Sequence, residues 1–307
     1  MKFLVVGPGA MGCLFAARLK LSGNEVVLLD NDSQRAQRIS EQGISVTGVS
    51  GDYSVPVPVI VGDHPFRPDV IMICVKSNHT REAGESTSSF AGPDTMVVTL
   101  QNGLGNIETL AAIFGPEKVL GGVTAQGATL LGEGRVRHAG QGETAIGPRG
   151  HGEISTQSLV SLLNGAGFQT RLADNVDVLI WGKLVINVGI NALTAITRLK
   201  NGRIPMVNGT RRIMEEAVGE AVRVAQAKGI SLPYEDPLSK VLAVCEATAE
   251  NVSSMLQDVL KGKLTEVEMI NGAIVREGNR LGIHAPVNRT LTYLVQAIQD
   301  THRETKA

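Results

Sequence analysis

An almost wholly apolar stretch, residues 181–191, carries three polar side chains at strict four-residue intervals: Lys183, Asn187 and Asn191. On an α-helix each step of four advances only about 40°, so the three side chains form one narrow stripe. A helix this apolar is expected to be buried, where a lysine and two amides are costly unless something satisfies them. Lys183 reaching solvent, with the amides bonding local backbone, is one explanation. The shared register favours a bound ligand.

A second pattern, Gly-Pro-Gly-Ala-Met-Gly from residue 7, fits the G-x-G-x-x-G sequence of dinucleotide-binding turns. It follows an apolar run and opens an alanine-rich segment, which is the context that this turn requires. Gly7 then permits the tight turn, Gly9 lets a pyrophosphate approach the backbone, and Gly12 lets helix and sheet pack closely. The phosphates are expected on N–H groups at the positive end of the helix, beside Ala10 and Met11. A plain strand–turn–helix and a methyltransferase-type domain are the alternatives.

The end of the second predicted strand bears on the choice of dinucleotide. Asp30 stands there, followed by Asn31. A carboxylate at this point usually hydrogen-bonds the adenosine ribose and disfavours a 2′-phosphate, which indicates NAD. Arg35 and Arg38 follow and offer partners for the phosphate of NADP, although they equally fit a solvated helix face. These residues leave both cofactors open.

Two more polar residues follow predicted strands directly. Lys76 comes after the run 70–75, and Asn102 after the run 96–100. Ligands of doubly wound sheets bind outside the carboxyl ends of the strands, so both residues are candidates for a site. Asn102 lies in a Gln-Asn-Gly sequence, and a turn in which the asparagine stabilises its own backbone is the alternative.

Further candidates lie in the second half of the chain. Asn251 and Ser254 are predicted one turn apart on the same face of a helix, facing either a ligand or solvent. Thr265 and Glu268 fit a capping box, with Thr265 as the N-cap. Glu266 then has no capping role in the first turn, where a favourable interaction with the helix dipole is the structural explanation.

The elements that position these residues fall into two halves. In the first half, apolar runs alternate with helical stretches, which predicts βαβ units and a parallel sheet, with an added antiparallel portion within 119–147. After residue 174 the strand signals stop and helical periodicity continues. We therefore predict an α/β chain, in which a Rossmann-type doubly wound dinucleotide-binding domain (1–173) precedes an all-helical substrate-binding and catalytic domain (174–307). The predicted strands are 2–6, 25–29, 70–75, 96–100 and 169–172, and the predicted helices are 10–21, 154–166, 177–198, 208–228, 238–261, 265–281 and one from about 288.

The composition of the chain excludes several function classes. Its net charge is −1 over 307 residues and the basic residues are scattered, so no nucleic-acid or anionic-membrane partner is expected. No signal peptide is recognisable, and no uninterrupted apolar run approaches the length that spans a bilayer. Three distant cysteines in apolar segments indicate reduced core thiols of a cytoplasmic protein. The six histidines lack metal-ligand spacing, so we expect no metal.

Taken in order along the chain, these motifs resemble the ketopantoate reductase (2-dehydropantoate 2-reductase) family essentially from end to end. The resemblance rests on the glycine turn, the Val-Lys step at 75–76, the Gln-Asn-Gly turn at 101–103, the polar stripe, the sequence Ser-Ser-Met-Leu-Gln-Asp at 253–258, the Thr-Glu pair at 265–266 and the sequence Gly-Ile-His-Ala-Pro-Val-Asn at 282–288. It implies NADPH-dependent reduction of the 2-keto group of ketopantoate to (R)-pantoate, in pantothenate and coenzyme A biosynthesis. A monomer or homodimer is expected.

The resemblance also implies a role for each candidate residue. Lys183 is the general acid, and Glu266 orients the substrate and the lysine. Asn102 contacts cofactor and substrate, and Lys76 belongs to the cofactor side. The substrate's carboxylate and hydroxyl are bound by Asn187, Asn191, Asn251 and Ser254.

One position departs from the family pattern. Many members carry an arginine directly after the second strand, where this chain has Asp30 and Asn31, so NADH stays possible beside NADPH. Two other functions remain open, namely reduction of another 2-keto acid on the same fold and non-catalytic dinucleotide sensing. Lys183 and Glu266 argue against a sensor, which has no need of a proton donor.

Overall fold

The computed structural model describes residues 1–148 and 156–304 of the chain. They form two compact units, and the chain passes between them more than once. The first unit holds Met1–Gln101 and Gly105–Val176, whereas the second holds Asn102–Leu104 and the chain from Asp177 onward. A Rossmann-type sheet with helices forms the first unit and the second is helical, which confirms the predicted fold class.

Strands dominate the first unit. They are β1 Lys2–Val6, β2 Glu25–Asp30, β3 Ile44–Gly48, β4 Tyr53–Val55, β5 Val59–Val61, β6 Val70–Ile73, β7 Met96–Thr99, β8 Val119–Thr124, β9 Gly127–Gly132, β10 Arg135–Gly140, β11 Thr144–Pro148 and β12 Thr170–Leu172. The helices of this unit are α1 Ala10–Leu21, α2 Ser33–Gln42, α3 Thr80–Thr87, α4 Asn106–Phe114 and α5 Thr156–Gly165. The first two residues of the helix predicted over 154–166 lie outside the described residues.

The main sheet has eight strands in the order β12-β11-β8-β7-β6-β1-β2-β5. Strands β5, β2, β1, β6, β7 and β8 are mutually parallel, so their carboxyl ends share one edge. Every residue of β6 and β7 is buried, as expected for parallel strands covered on both faces. This edge therefore collects the glycine turn, Asp30 and Lys76.

The antiparallel portion predicted within 119–147 is only partly confirmed. Strand β11 runs antiparallel to β8, and β9 and β10 form an antiparallel pair. Strand β8 itself runs parallel to β7 and extends the main sheet. The β9–β10 pair belongs to a separate four-stranded sheet with the order β4-β3-β10-β9, which the sequence did not predict.

The second unit consists of helices around one core. They are α6 Val176–Thr197, α7 Asn208–Ala227, α8 Pro237–Ala247, α9 Ser254–Leu260, α10 Asn271–Arg280 and α11 Pro286–Glu304. Helix α6 supplies the largest buried side chain of this core, Trp181, together with Leu184, Val185 and Val188. The remaining helices contribute apolar side chains to the same cluster, so the stripe-bearing helix stands in the middle of the unit's packing.

The prediction of a single helix over 238–261 is wrong, because the helix is interrupted between Ala247 and Ser254. Thr248 turns its hydroxyl back to the carbonyl of Val244 at 2.7 Å as α8 ends. Ser253 starts a new helix as its N-cap, accepting a hydrogen bond from Leu256 N at 3.1 Å. Side-chain oxygens that bond nearby backbone compete with helix continuation, which explains the break.

The capping box predicted at Thr265 is also wrong. Residues Val267–Met269 form a 3₁₀ turn, and α10 begins only at Asn271. The Glu268 carboxylate bonds the side chains of Arg276 and Gln296, so it does not act as a reciprocal cap. Local sequence matched the motif, but side chains from α10 and α11 determined where this glutamate points.

Helix α6 reaches the length of a membrane-spanning helix. Within the described part of the chain, α6 is a helix long and apolar enough to cross a bilayer by length and composition. Lys183, Asn187 and Asn191 interrupt the apolar run in sequence, so the expectation about uninterrupted runs stands. The mean hydropathy of the helix is nevertheless high enough for a membrane span. Of its most apolar window, 67% is buried inside the protein, which is typical of the core helix of a soluble protein.

Helix α1 packs closely on the sheet through Gly12, and this contact is testable. A Cβ at Gly12 would lie 2.0 Å from the carbonyl oxygen of Gly7. We therefore expect Gly12→Ala to lower the free energy of unfolding by roughly 2 kcal/mol or more, measured by chemical denaturation.

The control for this substitution is Gly209→Ala near the start of α7, where an added Cβ meets nothing within 4 Å. Alanine is the better helix former, so this variant should be as stable as the wild type or slightly more so. Equal stability of the two variants would contradict close packing at Gly12.

Candidate active site

The glycine turn has the geometry of a phosphate cradle. Gly7 adopts φ +98° and packs so closely on Val75 that a Cβ would approach the Val75 side chain to 2.7 Å. At Gly9 the nearest atom to a Cβ would be the Cys74 carbonyl at 4.0 Å, so this face of the backbone is open. Gly9 is also the N-cap of α1 and supplies no side-chain cap. An open backbone at an uncapped helix N-terminus fits a pyrophosphate, and Ala10 and Met11 follow in the first turn.

Asp30 occupies the end of β2, but its carboxylate is turned inward. The side chain has no exposed surface. It accepts hydrogen bonds from the backbone N–H groups of Asn31 (2.7 Å) and Asp32 (3.1 Å), and from Arg35 Nε at 2.7 Å. The structure therefore gives this carboxylate protein partners on both oxygens, whereas an exposed ribose acceptor was expected.

The two arginines after β2 differ in their surroundings. Arg35 pairs with the buried Asp30, and its side chain stays 32% exposed at the edge that also holds the glycine turn. Arg38 instead pairs with Glu133, Nη2 to Oε1 at 2.9 Å, on the surface. Of the two, Arg35 is the better placed for an anion at the end of β2, and Asn31 lies exposed beside it.

Lys76 follows β6 and precedes a 3₁₀ turn at Ser77–His79. Gln101 contacts the chain on both sides of this lysine, since its Nε2 donates to the backbone carbonyl of Val75 at 2.8 Å and to the side-chain oxygen Oγ1 of Thr80 at 2.9 Å. The ends of β6 and β7 are thereby tied together. Lys76 itself is half-buried, at the edge of the sheet where a doubly wound fold binds its ligand.

The polar stripe on α6 is continuous and largely buried. Asn191 is 6% exposed, whereas Asn187 and Lys183 are half-buried. Burial lowers the pKa of the Lys183 ammonium to about 8, and the nearby Glu266 carboxylate opposes that shift by favouring the charged form. The lysine is thus an acid whose proton is held less tightly than in water but is still present at neutral pH.

Glu266 and Asn102 lie together within the second unit. Asn102 Nδ2 donates to Glu266 Oε2 at 3.3 Å, and Glu266 is 5% exposed. Gly103 makes this approach possible, because at φ +84° it passes so close to Met269 that a Cβ would lie 2.2 Å from its carbonyl oxygen. Leu104 N donates to that same carbonyl at 2.9 Å. The turn after β7 is therefore fixed on the segment that carries Glu266.

Asn251 and Ser254 occupy different kinds of structure, contrary to the prediction of one helix face. Asn251 lies in the irregular segment before α9, and Ser254 is the first residue of α9. Both side chains are exposed. The Asn251 carbonyl accepts a hydrogen bond from Asn201 N at 3.1 Å, which holds this segment on the turn after α6.

The sequence reading missed three residues beside this site. Thr194 extends the polar stripe by one further turn and is completely buried, and its spacing of three from Asn191 is a signal that could have found it. Ser253 hydrogen-bonds it. Asn201 is 8% exposed, and its Oδ1 has no hydrogen-bond partner among the described residues. No sequence pattern indicated Asn201.

The arrangement can stabilise negative charge that develops on an oxygen atom. The second unit contains the Lys183 ammonium of lowered pKa and the buried Glu266 carboxylate, which favours the charged form of that ammonium. It also contains the Asn102 amide, which donates to the carboxylate. Two further amides stand on the same helix face as the ammonium. Such a set suits proton donation to a carbonyl and binding of a small polar anion.

Comparison with known proteins agrees with this chemistry. A family model described as ketopantoate reductase PanE/ApbA matches residues 3–151, and one described as ketopantoate reductase PanE/ApbA C terminal matches residues 175–299. A 2-dehydropantoate 2-reductase of Halobacterium salinarum is 37% identical over 302 residues, covering 97% of this chain and 99% of that protein. One from Archaeoglobus fulgidus is 37% identical over 299 residues, covering 96% and 97%.

Solved structures show the same fold. A PanE/ApbA family ketopantoate reductase from Ralstonia eutropha superposes with a TM-score of 0.90 at 34% identity, over 99% of this chain and 100% of that one. A D-mandelate dehydrogenase solved with NADH and anilino(oxo)acetate gives a TM-score of 0.92 at 28% identity, with the same coverage.

The fold, the glycine turn and these relatives define an NAD(P)-dependent oxidoreductase that acts on a CH–OH group. Its cofactor is accordingly a nicotinamide dinucleotide. More narrowly, the chain belongs to the ketopantoate reductase family.

Assigning proton donation to Lys183 predicts the pH dependence of keto-acid reduction. A lysine that donates a proton must be protonated, so kcat/KM for keto-acid reduction should be level below pH 8 and fall as the pH rises through about 8. Removing the charge of Glu266 removes the influence that raises this pKa. We therefore expect Glu266→Gln to shift the descending limb to lower pH, in addition to lowering the rate.

The matched control is Glu268→Gln, two residues along the chain, where the carboxylate bonds Arg276 and Gln296. This variant should leave the descending limb in place. A limb that does not move in Glu266→Gln, or that moves equally in both variants, would contradict the assigned interaction.

Proposed function

We propose that this protein reduces the 2-keto group of ketopantoate to (R)-pantoate with NADPH, as a step in pantothenate and coenzyme A biosynthesis. The observation that carries the proposal is the half-buried Lys183 of lowered pKa near Glu266, on the helix that also presents Asn187 and Asn191. The relatives named 2-dehydropantoate 2-reductase, which match this chain almost end to end, support the choice of substrate.

The residues of the first unit are assigned to the cofactor. Gly7, Gly9 and Gly12 with the first turn of α1 would hold the pyrophosphate, and Lys76 would lie on the cofactor side. Asn102, which belongs to the second unit, would contact the cofactor near the nicotinamide. A reduced nicotinamide dinucleotide, when bound, supplies the hydride for the carbonyl carbon. The open backbone at Gly9 and the uncapped α1 N-terminus fit such a group.

The residues of the second unit are assigned to the keto acid. Lys183 donates its proton to the carbonyl oxygen, which gains negative charge as the carbonyl is reduced to an alcohol. The Glu266 carboxylate stabilises the ammonium before transfer and keeps its side chain in place through the same attraction. Asn187 and Asn191 offer amide N–H donors for the substrate carboxylate and hydroxyl, and Asn251 and Ser254 offer further polar groups.

NADPH is proposed over NADH because of the surroundings of Asp30. An acidic residue that selects NADH needs an exposed carboxylate for the ribose hydroxyls. Here the carboxylate is enclosed and its charge is compensated by Arg35, whose guanidinium is partly exposed at the same edge. A partly exposed cation at this position favours a 2′-phosphate.

A second candidate function is reduction of a bulkier 2-keto acid, such as an aryl one, with NADH. It is favoured by the high similarity of this chain to the D-mandelate dehydrogenase solved with NADH and anilino(oxo)acetate. The two candidates share the fold and the proton donor, and they differ in the group that flanks the keto acid.

Oxidation of NADPH and, in a parallel assay, of NADH by the purified protein separates the candidates. We expect the highest kcat/KM with ketopantoate, compared with pyruvate, 2-ketoisovalerate and benzoylformate. Lys183→Ala should lose at least about 10²-fold in kcat, the lower bound for general acid catalysis, while its Kd for NADPH by fluorescence titration is unchanged.

Faster turnover of benzoylformate than of ketopantoate would favour the second function. No turnover with any of the acids would contradict the proposal of a reductase. Near-wild-type turnover by Lys183→Ala would remove this lysine as the acid. Lys118→Ala serves as the control and should retain full activity, because this half-buried lysine bonds the carbonyl of Gly92 and belongs to neither assigned group of residues.

The cofactor assignment is tested by removing the Asp30–Arg35 pair. Arg35→Gln alone would leave a buried carboxylate without its counter-charge, so the informative variant is Asp30→Asn/Arg35→Gln. We expect the ratio of kcat/KM for NADPH over NADH to fall roughly tenfold, since a charge-assisted bond to phosphate is lost.

Arg38→Gln is the matched control, because Arg38 stands on the same helix and pairs with Glu133. It should leave the ratio unchanged. An unchanged ratio in the double variant would place the 2′-phosphate away from Arg35, and an increased ratio would restore Asp30 as the ribose acceptor.

A further inference from the structure

A buried pair of hydroxyl groups joins α6 to the start of α9. The side-chain oxygens of Thr194 and Ser253 lie 2.6 Å apart. Thr194 is completely buried and Ser253 is 6% exposed. Neither residue has a part in the reaction described above, and 59 positions of sequence separate them.

The surrounding hydrogen bonds determine which of the two hydroxyl groups donates to the other. Thr194 Oγ1 donates to the backbone carbonyl of Asn191 at 2.8 Å, which uses its only hydrogen. Ser253 must therefore donate to Thr194, while Ser253 Oγ accepts from Leu256 N–H at 3.1 Å. The bonds form one chain from the first turn of α9 to Asn191, and bonds in such a chain strengthen one another.

The two ends of this chain are the two groups of residues assigned to the keto acid. Asn191 is on α6, one turn beyond Asn187. Asn251 and Ser254 flank Ser253, on the segment that begins α9. Other bonds hold the preceding residues 248–251 to the turn after α6, among them Asn201 N to the Asn251 carbonyl at 3.1 Å and Asn201 Nδ2 to Thr248 Oγ1 at 2.9 Å. The hydroxyl pair bonds Ser253, which stands between Asn251 and Ser254, to α6 itself, and it thereby contributes to the spacing between the two groups.

We propose that Thr194 and Ser253 are positioning residues, which set the distance between the α6 amides and the 251–254 segment and thereby the fit of the keto acid. The proposal rests on the proposed function for the assignment of those residues to the substrate. Lys183 lies eleven residues before Thr194, roughly 16 Å along the helix axis. Loss of the pair should therefore affect substrate binding and leave proton donation intact.

Thr194→Val tests the proposal, because valine keeps the shape of threonine and removes its hydroxyl. We expect KM for the keto acid to rise roughly five- to tenfold, the effect of one lost buried hydrogen bond, with kcat within about twofold of wild type. The Kd for NADPH should not change. Thr194→Ser, which keeps the hydroxyl, should restore KM to near its wild-type value.

Thr197→Val is the matched control on the same helix. Its hydroxyl donates to the Leu193 carbonyl within α6 at 2.6 Å, so the substitution removes a comparable local bond. It should leave KM unchanged. Ser253→Ala should raise KM as Thr194→Val does, and the double variant should raise it less than the product of the two single effects, because both remove the same bond.

The proposal is overturned if Thr194→Val raises KM no more than Thr197→Val, or if kcat and the Kd for NADPH change as much as KM. If Thr194→Val does not fold, Thr194→Ser and Ser253→Ala decide, and an unchanged KM in Ser253→Ala overturns it. If the wild type reduces no 2-keto acid, the proposed function fails by itself. In that case amide hydrogen exchange tests whether the hydroxyl pair holds the start of α9 on α6. Unchanged exchange at 251–257 in Thr194→Val would overturn the positioning role.

Discussion

Placing the Lys183 ammonium on an otherwise apolar core helix costs free energy, and a carboxylate lies near it to offset that cost. Burial lowers the pKa of the lysine to about 8 while Glu266 opposes the shift, and Glu266 is itself held by Asn102. Without the carboxylate, burial would lower this pKa further, and a smaller fraction of the lysine would carry the proton to be donated. Without burial, the ammonium would hold its proton as tightly as in water. The balance between the two sets the acidity that the proposed reaction needs.

Most of the framework follows from local patterns. Strands β1, β2, β6 and β7 of the main sheet are apolar runs bounded by turns, and α6 has a period that places Lys183, Asn187 and Asn191 on one face, so these elements could be predicted. The short edge strand β5 was not predicted. Helix breaks were harder to predict. The gap before α9 depends on Ser253, which caps the helix locally through Leu256 N and also bonds Thr194, a residue 59 positions away.

Side-chain direction was the least predictable property. Asp30 stands where an acidic residue usually faces the ribose, and its position in sequence was read correctly. Its carboxylate nevertheless turns toward Arg35 and two backbone N–H groups, because the start of α2 brings those donors within reach. The same residue type in the same place thus gives a different electrostatic surface, with a partly exposed guanidinium in place of a carboxylate.

The three residues Asn102–Leu104 leave the first unit and pack with the second, after which the chain returns. Gly103 and Leu104 meet the Met269 carbonyl, and Asn102 meets Glu266. The units are therefore not modular in the way that a single linker near residue 176 would make them. A chimera that exchanged the helical half between two relatives would separate this turn from the surface it matches, unless the three residues were transferred with it. Any exchange of the helical half must therefore include residues that a boundary drawn on sequence assigns to the other half.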